Sequence, residues 1–263
     1  MTPFERLVNI MATLRAEHGC PWDRQQTHES IRPYLIEEAY EVLDAIDQRD
    51  DTRFREELGD LLLQIVFHAQ MAREGGRFTI DDLITTVVEK LIRRHPHVFG
   101  SVEAKTADQV LINWEKIKHT EGGQQRKSVL EGLPNHLPAL LKAYRVQEKV
   151  ARVGFDWSAV DDVFKKVQEE ITEFRDAYAV WDRERLEDEF GDLLFSLVNL
   201  ARHIRISPED ALRRTIQRFV DRFQYIEETL RLNGESLDNA SLERMDALWE
   251  EAKRREEERG EKG

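Results

Sequence analysis

One acidic signature is written twice into the chain. Glu37-Glu38-Ala39-Tyr40-Glu41 is followed by Glu57-Leu58-Gly59-Asp60, and Glu169-Glu170-Ile171-Thr172-Glu173 by Glu189-Phe190-Gly191-Asp192. In both copies sixteen positions separate the last Glu of the first cluster from the Glu that opens the second (41 to 57, 173 to 189). Carboxylates three apart neighbour each other on a helix. A short polar break between two long helices folds them antiparallel, so the end of the first lies beside the start of the second. Topology then brings Glu41 near Glu57 and Glu173 near Glu189.

The periodicity supplies those helices. Apolar positions predict helices over residues 3–16, Pro33–Ile46 and Arg53–Arg73 in the first half, the last two joined by the polar Asp50-Asp51-Thr52, which offers an N-cap. In the second half they predict Val160–Val180, a helix capped by Asp182 and running to about Ile204, and Pro208–Leu232. A last helix begins near Ser241 and frays into the charged segment from Glu250 to Gly263. Phe164, Phe174, Phe190, Leu194 and Leu197 are among the apolar positions that the two helices from Val160 to Ile204 carry. With Gly and Pro sparse, at 13 and 7, and little alternation of apolar and polar residues, the fold class is all-α.

The repeat extends past the acids. Trp22-Asp23 has a counterpart in Asp156-Trp157, Lys90 and Arg94 in Arg218 and Arg222, and Trp114-Glu115-Lys116-Ile117-Lys118 in Trp249-Glu250-Glu251-Ala252-Lys253. This is duplication of a helical unit of about 100 residues. A break rich in Gly and Pro separates two domains, 1–120 and 136–263, with a linker at 121–135. Gly59 and Gly191 sit inside helices, where glycine costs about 1 kcal/mol relative to Ala. Close approach of a helix or of a ligand would account for them.

Glu38, Glu41, Glu57 and Asp60, and again Glu170, Glu173, Glu189 and Asp192, form two sets of carboxylates that repel one another without a counter-charge. Mg²⁺ resolves the repulsion, because it takes oxygen ligands and keeps waters and substrate phosphates in its shell. Such a site clamps a triphosphate and activates water. A lone Glu pair would read as a solvated helix face; a duplicated four-point arrangement does not. A di-iron bundle needs Glu-x-x-His, and none of the 8 histidines stands three residues after a Glu. Cys20, the single cysteine, excludes an intrachain disulfide and reads as a small apolar side chain; with no leader or spanning pattern at hand, the chain reads as cytoplasmic. The formal charge of −13 argues against a nucleic-acid coat, and no apolar run suggests a membrane partner. His95-Pro96-His97 reads as a helix stop or a phosphate contact. Trp114 and Trp249 read as core anchors or as platforms for a base.

Glu-Glu-x-x-Glu followed by Glu-x-x-Asp resembles the signature of the all-α nucleoside triphosphate pyrophosphohydrolases. The doubled motif, with Gly19-Cys20-Pro21-Trp22-Asp23, Arg93-Arg94-His95-Pro96-His97-Val98-Phe99 and Gly154-Phe155-Asp156-Trp157, is similar to the tandem-domain MazG branch over nearly the whole chain. The resemblance implies Mg²⁺-dependent cleavage of (deoxy)nucleoside triphosphates to monophosphate and pyrophosphate, with Mn²⁺ as a substitute, broad base specificity and a role in nucleotide-pool control. It implies a homodimer in which each module completes a four-helix-bundle-type core, with the main activity in the second domain. Carried over by position, Glu170, Glu173, Glu189 and Asp192 are catalytic and metal-binding. Lys166, Glu169, Arg185, Arg218, Arg222 and Trp249 contact the nucleotide. At Arg185 and Arg218 the family carries lysine, so charge is kept while donor geometry changes. A second-tier site in the first half would use Lys90, Arg94 and Trp114, with Tyr34 where the second half has Lys166 and Arg53 where it has Arg185. The alternatives are a narrow-substrate relative acting on dUTP or phosphoribosyl-ATP, or a non-enzymatic helical regulatory protein whose acids hold structural cations.

Overall fold

A computed structural model describes residues 1–104, 106, 109, 110, 113, 114, 117 and 128–260. Among these residues the secondary structure is helical, without strands. The chain divides into two compact units, Met1–Gln125 and Arg126–Gly263. Of the expected linker, 121–127 lies outside the described residues, as do positions 115, 116 and 118 of the Trp114 motif.

In the first unit, α1 (Pro3–Arg15) starts at a capping box: Thr2 Oγ1 accepts from the Glu5 amide at 3.2 Å and Glu5 Oε2 accepts from the Thr2 amide at 2.7 Å. A short α2 (Pro21–Gln25) follows. The acidic pair is α3 (Arg32–Gln48) and α4 (Asp51–Glu74). Then come α5 (Ile80–Arg94), opened by a Thr79/Asp82 capping box, and α6 (Pro96–Phe99). Met11, Ile31, Val66, Phe67 and Met71 form the core between α1 and α4. Cys20 is half-buried at the N-cap of α2.

The second unit holds α7 (Ala139–Ala151), α8 (Val160–Val180), α9 (Arg183–His203), α10 (Pro208–Leu232) and α11 (Leu242–Gly260). Helix α7 lacks a side-chain cap of its own; the Glu209 carboxylate of α10 accepts from the Leu141 amide in its first turn at 3.3 Å. The last helix does not fray at Glu250. It continues to Gly260 because α10 holds it: Tyr225 Oη donates to Glu251 at 2.6 Å, Arg222 pairs with Glu256 at 2.7 Å, and Arg255 lies over the Tyr225 ring at 4.6 Å. Ile226, Leu230 and Leu248 are the core of that hairpin.

Both acidic hairpins turn in the same way. Arg49 (φ 55°) ends α3 and Trp181 (φ 53°) ends α8, each left-handed and each without the glycine that usually serves there. The next amide donates back into the helix, Asp50 to the Ala45 carbonyl at 3.2 Å and Asp182 to that of Ala177 at 3.4 Å. The same aspartates cap the following helix: Asp50 Oδ1 accepts from the Thr52 and Arg53 amides at 3.0 Å each, and Asp182 Oδ1 from the Arg185 amide at 3.3 Å. One residue stops the first helix and the next starts its partner, so the connection is as short as two residues. A left-handed non-glycine residue costs about 1–2 kcal/mol. Arg49→Gly is therefore expected to stabilise the chain by about 1 kcal/mol, read as a higher urea midpoint with an unchanged slope. An unchanged midpoint contradicts the strain.

The apolar stripes are only partly buried within the chain. Phe164 of α8 and Phe190, Leu194 and Leu197 of α9 are exposed, Phe190 by 51%, as are Leu58, Leu62 and Ile65 of α4. The buried positions are Val163, Val167, Glu170 and Ala177 on α8 and Ser196, Val198 and Asn199 on α9, while the neighbouring apolar face stays open.

Candidate functional site

On α8 the buried positions are Val163, Val167, Glu170 and Ala177. The steps of four, three and seven are those of one helix face, so Glu170 stands in an apolar stripe and is 5% exposed. Helix α3 repeats this with Glu38 one turn before the buried Val42 and Ala45. The tight turns then deliver the third acid. Glu170, Glu173 and Glu189 each offer a carboxylate oxygen within 4.8 Å of the others, and Glu38, Glu41 and Glu57 do the same. Asp60 and Asp192 stay outside these triads, exposed one helical turn beyond Glu57 and Glu189. Asp60 is still felt electrostatically at Glu38, and Asp192 lines a cleft with Lys166 and Glu170.

Crowding shows in the acidities. The Glu173 carboxyl is pushed above the usual carboxylate range, first by loss of solvent and then by the charges of Glu170 and Glu189, with Lys166 opposing. Glu38 is raised by burial, then by Asp60 and Glu41, while a hydrogen bond from Gln64 Nε2 at 3.4 Å opposes. A carboxyl raised on folding holds its proton more tightly in the native state. It therefore subtracts from stability above its raised pKa, and the penalty fades as pH falls or as a cation binds.

The cations differ between the halves. Lys166 Nζ lies 2.7 Å from both Glu169 and Glu170, and these hydrogen bonds hold its ammonium pKa above normal. Tyr34, at the matching place in the first half, instead faces Trp22 with ring centres 6.4 Å apart. Arg185 pairs with Glu189 at 3.2 Å, and Arg53 with Glu57 at 3.1 Å. Gly59 and Gly191 have open space where a Cβ would stand, so no close approach within the chain explains them.

The remaining expected residues lie on other helices. Arg218 donates to Thr215 Oγ1 at 2.9 Å on its own helix, α10. Arg222 is held by Glu256 and lies over the Trp249 ring at 5.3 Å, and Trp249 packs on Phe219 at 5.1 Å. These contacts place Trp249 as an anchor of the α10–α11 hairpin. In the first unit Lys90 is half-buried on α5, and Arg94 lies over the Trp114 ring at 5.9 Å. His95 stops α5, its Nδ1 2.7 Å from the Leu91 carbonyl, and Pro96 opens α6.

A polar network beside the second triad escapes a reading of the sequence. Asp156 is clamped by Arg202 and by His203, the latter at 3.0 Å, and Asn199 Oδ1 accepts from Arg202 at 2.8 Å. The arginine and histidine hold the Asp156 carboxyl below its usual range despite partial burial. The sequence signal was the Asp156-Trp157 counterpart of Trp22-Asp23. Its continuation was a change in register-matched residues, from Gln64, Phe67 and Gln70 to Ser196, Asn199 and Arg202, each pair 132 positions apart (64 to 196).

Residues 26–99 and 160–226 match the MazG nucleotide pyrophosphohydrolase domain. Over 250 residues the chain is 50% identical to the nucleoside triphosphate pyrophosphohydrolase/pyrophosphatase MazG of Thermotoga maritima, covering 95% of each chain. Over 260 residues it is 46% identical to the nucleoside triphosphate pyrophosphohydrolase of Escherichia coli K12, covering 97% of this chain and 99% of the relative. A solved MazG-related protein from Thermotoga maritima is 30% identical, with a TM-score of 0.38, over 43% of this chain and 97% of that one. With the family's domain present twice and its acidic motif gathered into two triads, the chain belongs to the MazG nucleotide pyrophosphohydrolase family.

Proposed function

We propose that the chain hydrolyses nucleoside triphosphates between the α and β phosphates, releasing nucleoside monophosphate and pyrophosphate, chiefly at the second acidic cluster. The observation that carries this is the triad of Glu170, Glu173 and Glu189 with Lys166 beside it. Three hard oxygen donors within 4.8 Å and short of positive charge fit Mg²⁺, with Mn²⁺ as a substitute. Glu170, Glu173 and Glu189 would hold it, with Asp192 one turn on. Bound there, the ion neutralises triphosphate charge and acidifies water. Lys166 and Arg185, each now paired with a cluster carboxylate, turn to the phosphate oxygens as charge-assisted donors. A carboxylate of the cluster takes the proton of the attacking water as the new P–O bond forms and the α–β bridge breaks, the electron pair leaving with pyrophosphate.

Members of this family with these names act on nucleoside triphosphates, and we extend that to a broad base range and to nucleotide-pool control in the cytoplasm. We also propose a homodimer. The support is the open apolar face of Phe164, Phe190, Leu194 and Leu197, which pairing would cover to complete a four-helix core. Arg218, Arg222 and Trp249 belong to the same proposal as nucleotide contacts. Among the described residues no helix is long and apolar enough to cross a membrane.

The test of the reaction is dGTP with Mg²⁺ in ¹⁸O-water, with products read by mass. The expected products are dGMP and pyrophosphate, one of them labelled. Orthophosphate and dGDP would mark a γ-phosphatase and overturn the reading.

A further inference from the structure

Two histidines of the first unit meet where three segments join. His28 stands in the turn between α2 and α3, His68 is on α4, and Arg77 follows the end of α4. The rings of His28 and His68 are 4° from parallel, with centres 5.0 Å apart, and their Nδ1 atoms lie 2.7 Å from each other. The Arg77 guanidinium reaches the other ring nitrogen of His28, Nε2.

These contacts fix the protons. A guanidinium only donates, so His28 Nε2 is bare and accepts. The hydrogen of His28 is then on Nδ1 and is donated to His68 Nδ1, which leaves His68 with its hydrogen on Nε2. Both rings are neutral in this chain of donors. A proton added to His28 sets an N–H against Arg77. A proton added to His68 sets one against the N–H of His28. Loss of solvent, and then the neighbouring His28, holds His68 below the usual imidazole range. Two charged neighbours do not reverse this. Glu29, on the same turn, favours a charged His28 but is fully exposed. Arg15 of α1 is paired with Glu74 at 2.8 Å and donates to the Asp23 and Gln26 carbonyls, so it ties down the same segment with no proton to exchange near neutrality.

We propose that His28, His68 and Arg77 form an acid-released latch, which ties the 27–31 turn and the loop before α5 to α4. The turn leads into Ile31, 1% exposed in the core, and into α3 with Glu38 and Glu41. Arg77 stands two residues before Thr79, the cap of α5, and no residue of α5 is buried, so this loop sets where the helix begins. Release therefore loosens both approaches to the first acidic cluster. The second half has no such device: Val160 and Leu200 stand where His28 and His68 do, 132 positions on (28 to 160). A histidine depressed on folding contributes stability that is complete above its unfolded value of about 6.5 and is lost as pH falls below it. The latch is closed at neutral pH and opens in mild acid, whatever reaction the chain performs.

The test is hydrogen exchange in the full chain at about pH 7.5 and about pH 5.5, corrected for the intrinsic exchange rate. The reporters are the Ile31 and Arg77 amides, bonded to the Thr27 and Ala72 carbonyls at 3.3 and 2.9 Å. One pH unit below the free value favours an open histidine about tenfold, so both amides are expected to exchange at least about tenfold faster in acid. The α10–α11 hairpin, which holds no histidine, is the internal control and should change little. His68→Leu, the residue of the second half, is expected to reduce the acceleration to about threefold or less. Acceleration no greater than in the control, or undiminished in His68→Leu, would overturn the latch. Should that variant not fold, ¹⁵N-histidine resonances of the wild type at neutral pH decide. Hydrogens on His28 Nδ1 and His68 Nε2 are expected, and a hydrogen on His28 Nε2 would refute the arrangement.

Discussion

Glu173→Gln, made with the first cluster neutralised, is expected to lower dGTP turnover at least about a hundredfold while the helical circular dichroism persists. That size is typical of losing a group that stabilises charge in the transition state. Glutamine keeps the shape of the side chain and removes one of three carboxylates gathered within 4.8 Å. The crowding that raises Glu173 above the usual carboxylate range is relieved by the same change, so the fold should not suffer. Activity retained in a folded variant would remove Glu173 from the machinery.

The two halves should rank unequally. Neutralising Glu170, Glu173, Glu189 and Asp192 together is expected to abolish most activity, and neutralising Glu38, Glu41, Glu57 and Asp60 to leave most of it. Each half gathers three carboxylates within 4.8 Å, so the number of acids does not decide the ranking. Lys166 does. Its ammonium sits 2.7 Å from Glu170, where the first half has Tyr34 turned to Trp22. A charge-assisted hydrogen bond to phosphate contributes about 1.5–3 kcal/mol, so its absence weakens substrate capture roughly 10- to 150-fold. Initial rates of the two variants, both shown to be folded, decide the matter, and the opposite ranking would move the working site to the first half.

Spacing in the sequence sufficed for the hairpins, for the caps at Asp50 and Asp182, and for the convergence of three acids in each half, because each rests on local rules: helix period, capping chemistry and a short turn. The fourth acid was less legible. Asp60 and Asp192 share a helix face with Glu57 and Glu189, yet the rise of the helix carries them out of the triad. The left-handed residues were hidden because Arg49 and Trp181 are not the glycines that advertise such turns. Helix α7 depends on a carboxylate from Glu209, 68 residues ahead of Leu141 in sequence, which no window around Pro138 contains. The long reach of α11 depends on Tyr225 and Arg222 in the same way. Periodicity reported which face of α9 is apolar; it carried no information on what covers it. Gln147 and Asn199 are polar, and only packing shows that both are buried.

On the proposed mechanism the carboxylate triads serve phosphate chemistry by holding a divalent cation. This is tested most directly by the initial rate of dGMP formation from dGTP by chelator-stripped protein as Mg²⁺ is added back. No product is expected in chelator, and the rate should rise with Mg²⁺ to a plateau in the wild type but not when both triads are neutralised. An undiminished rate in excess chelator, or the same Mg²⁺ response without the triads, would contradict it.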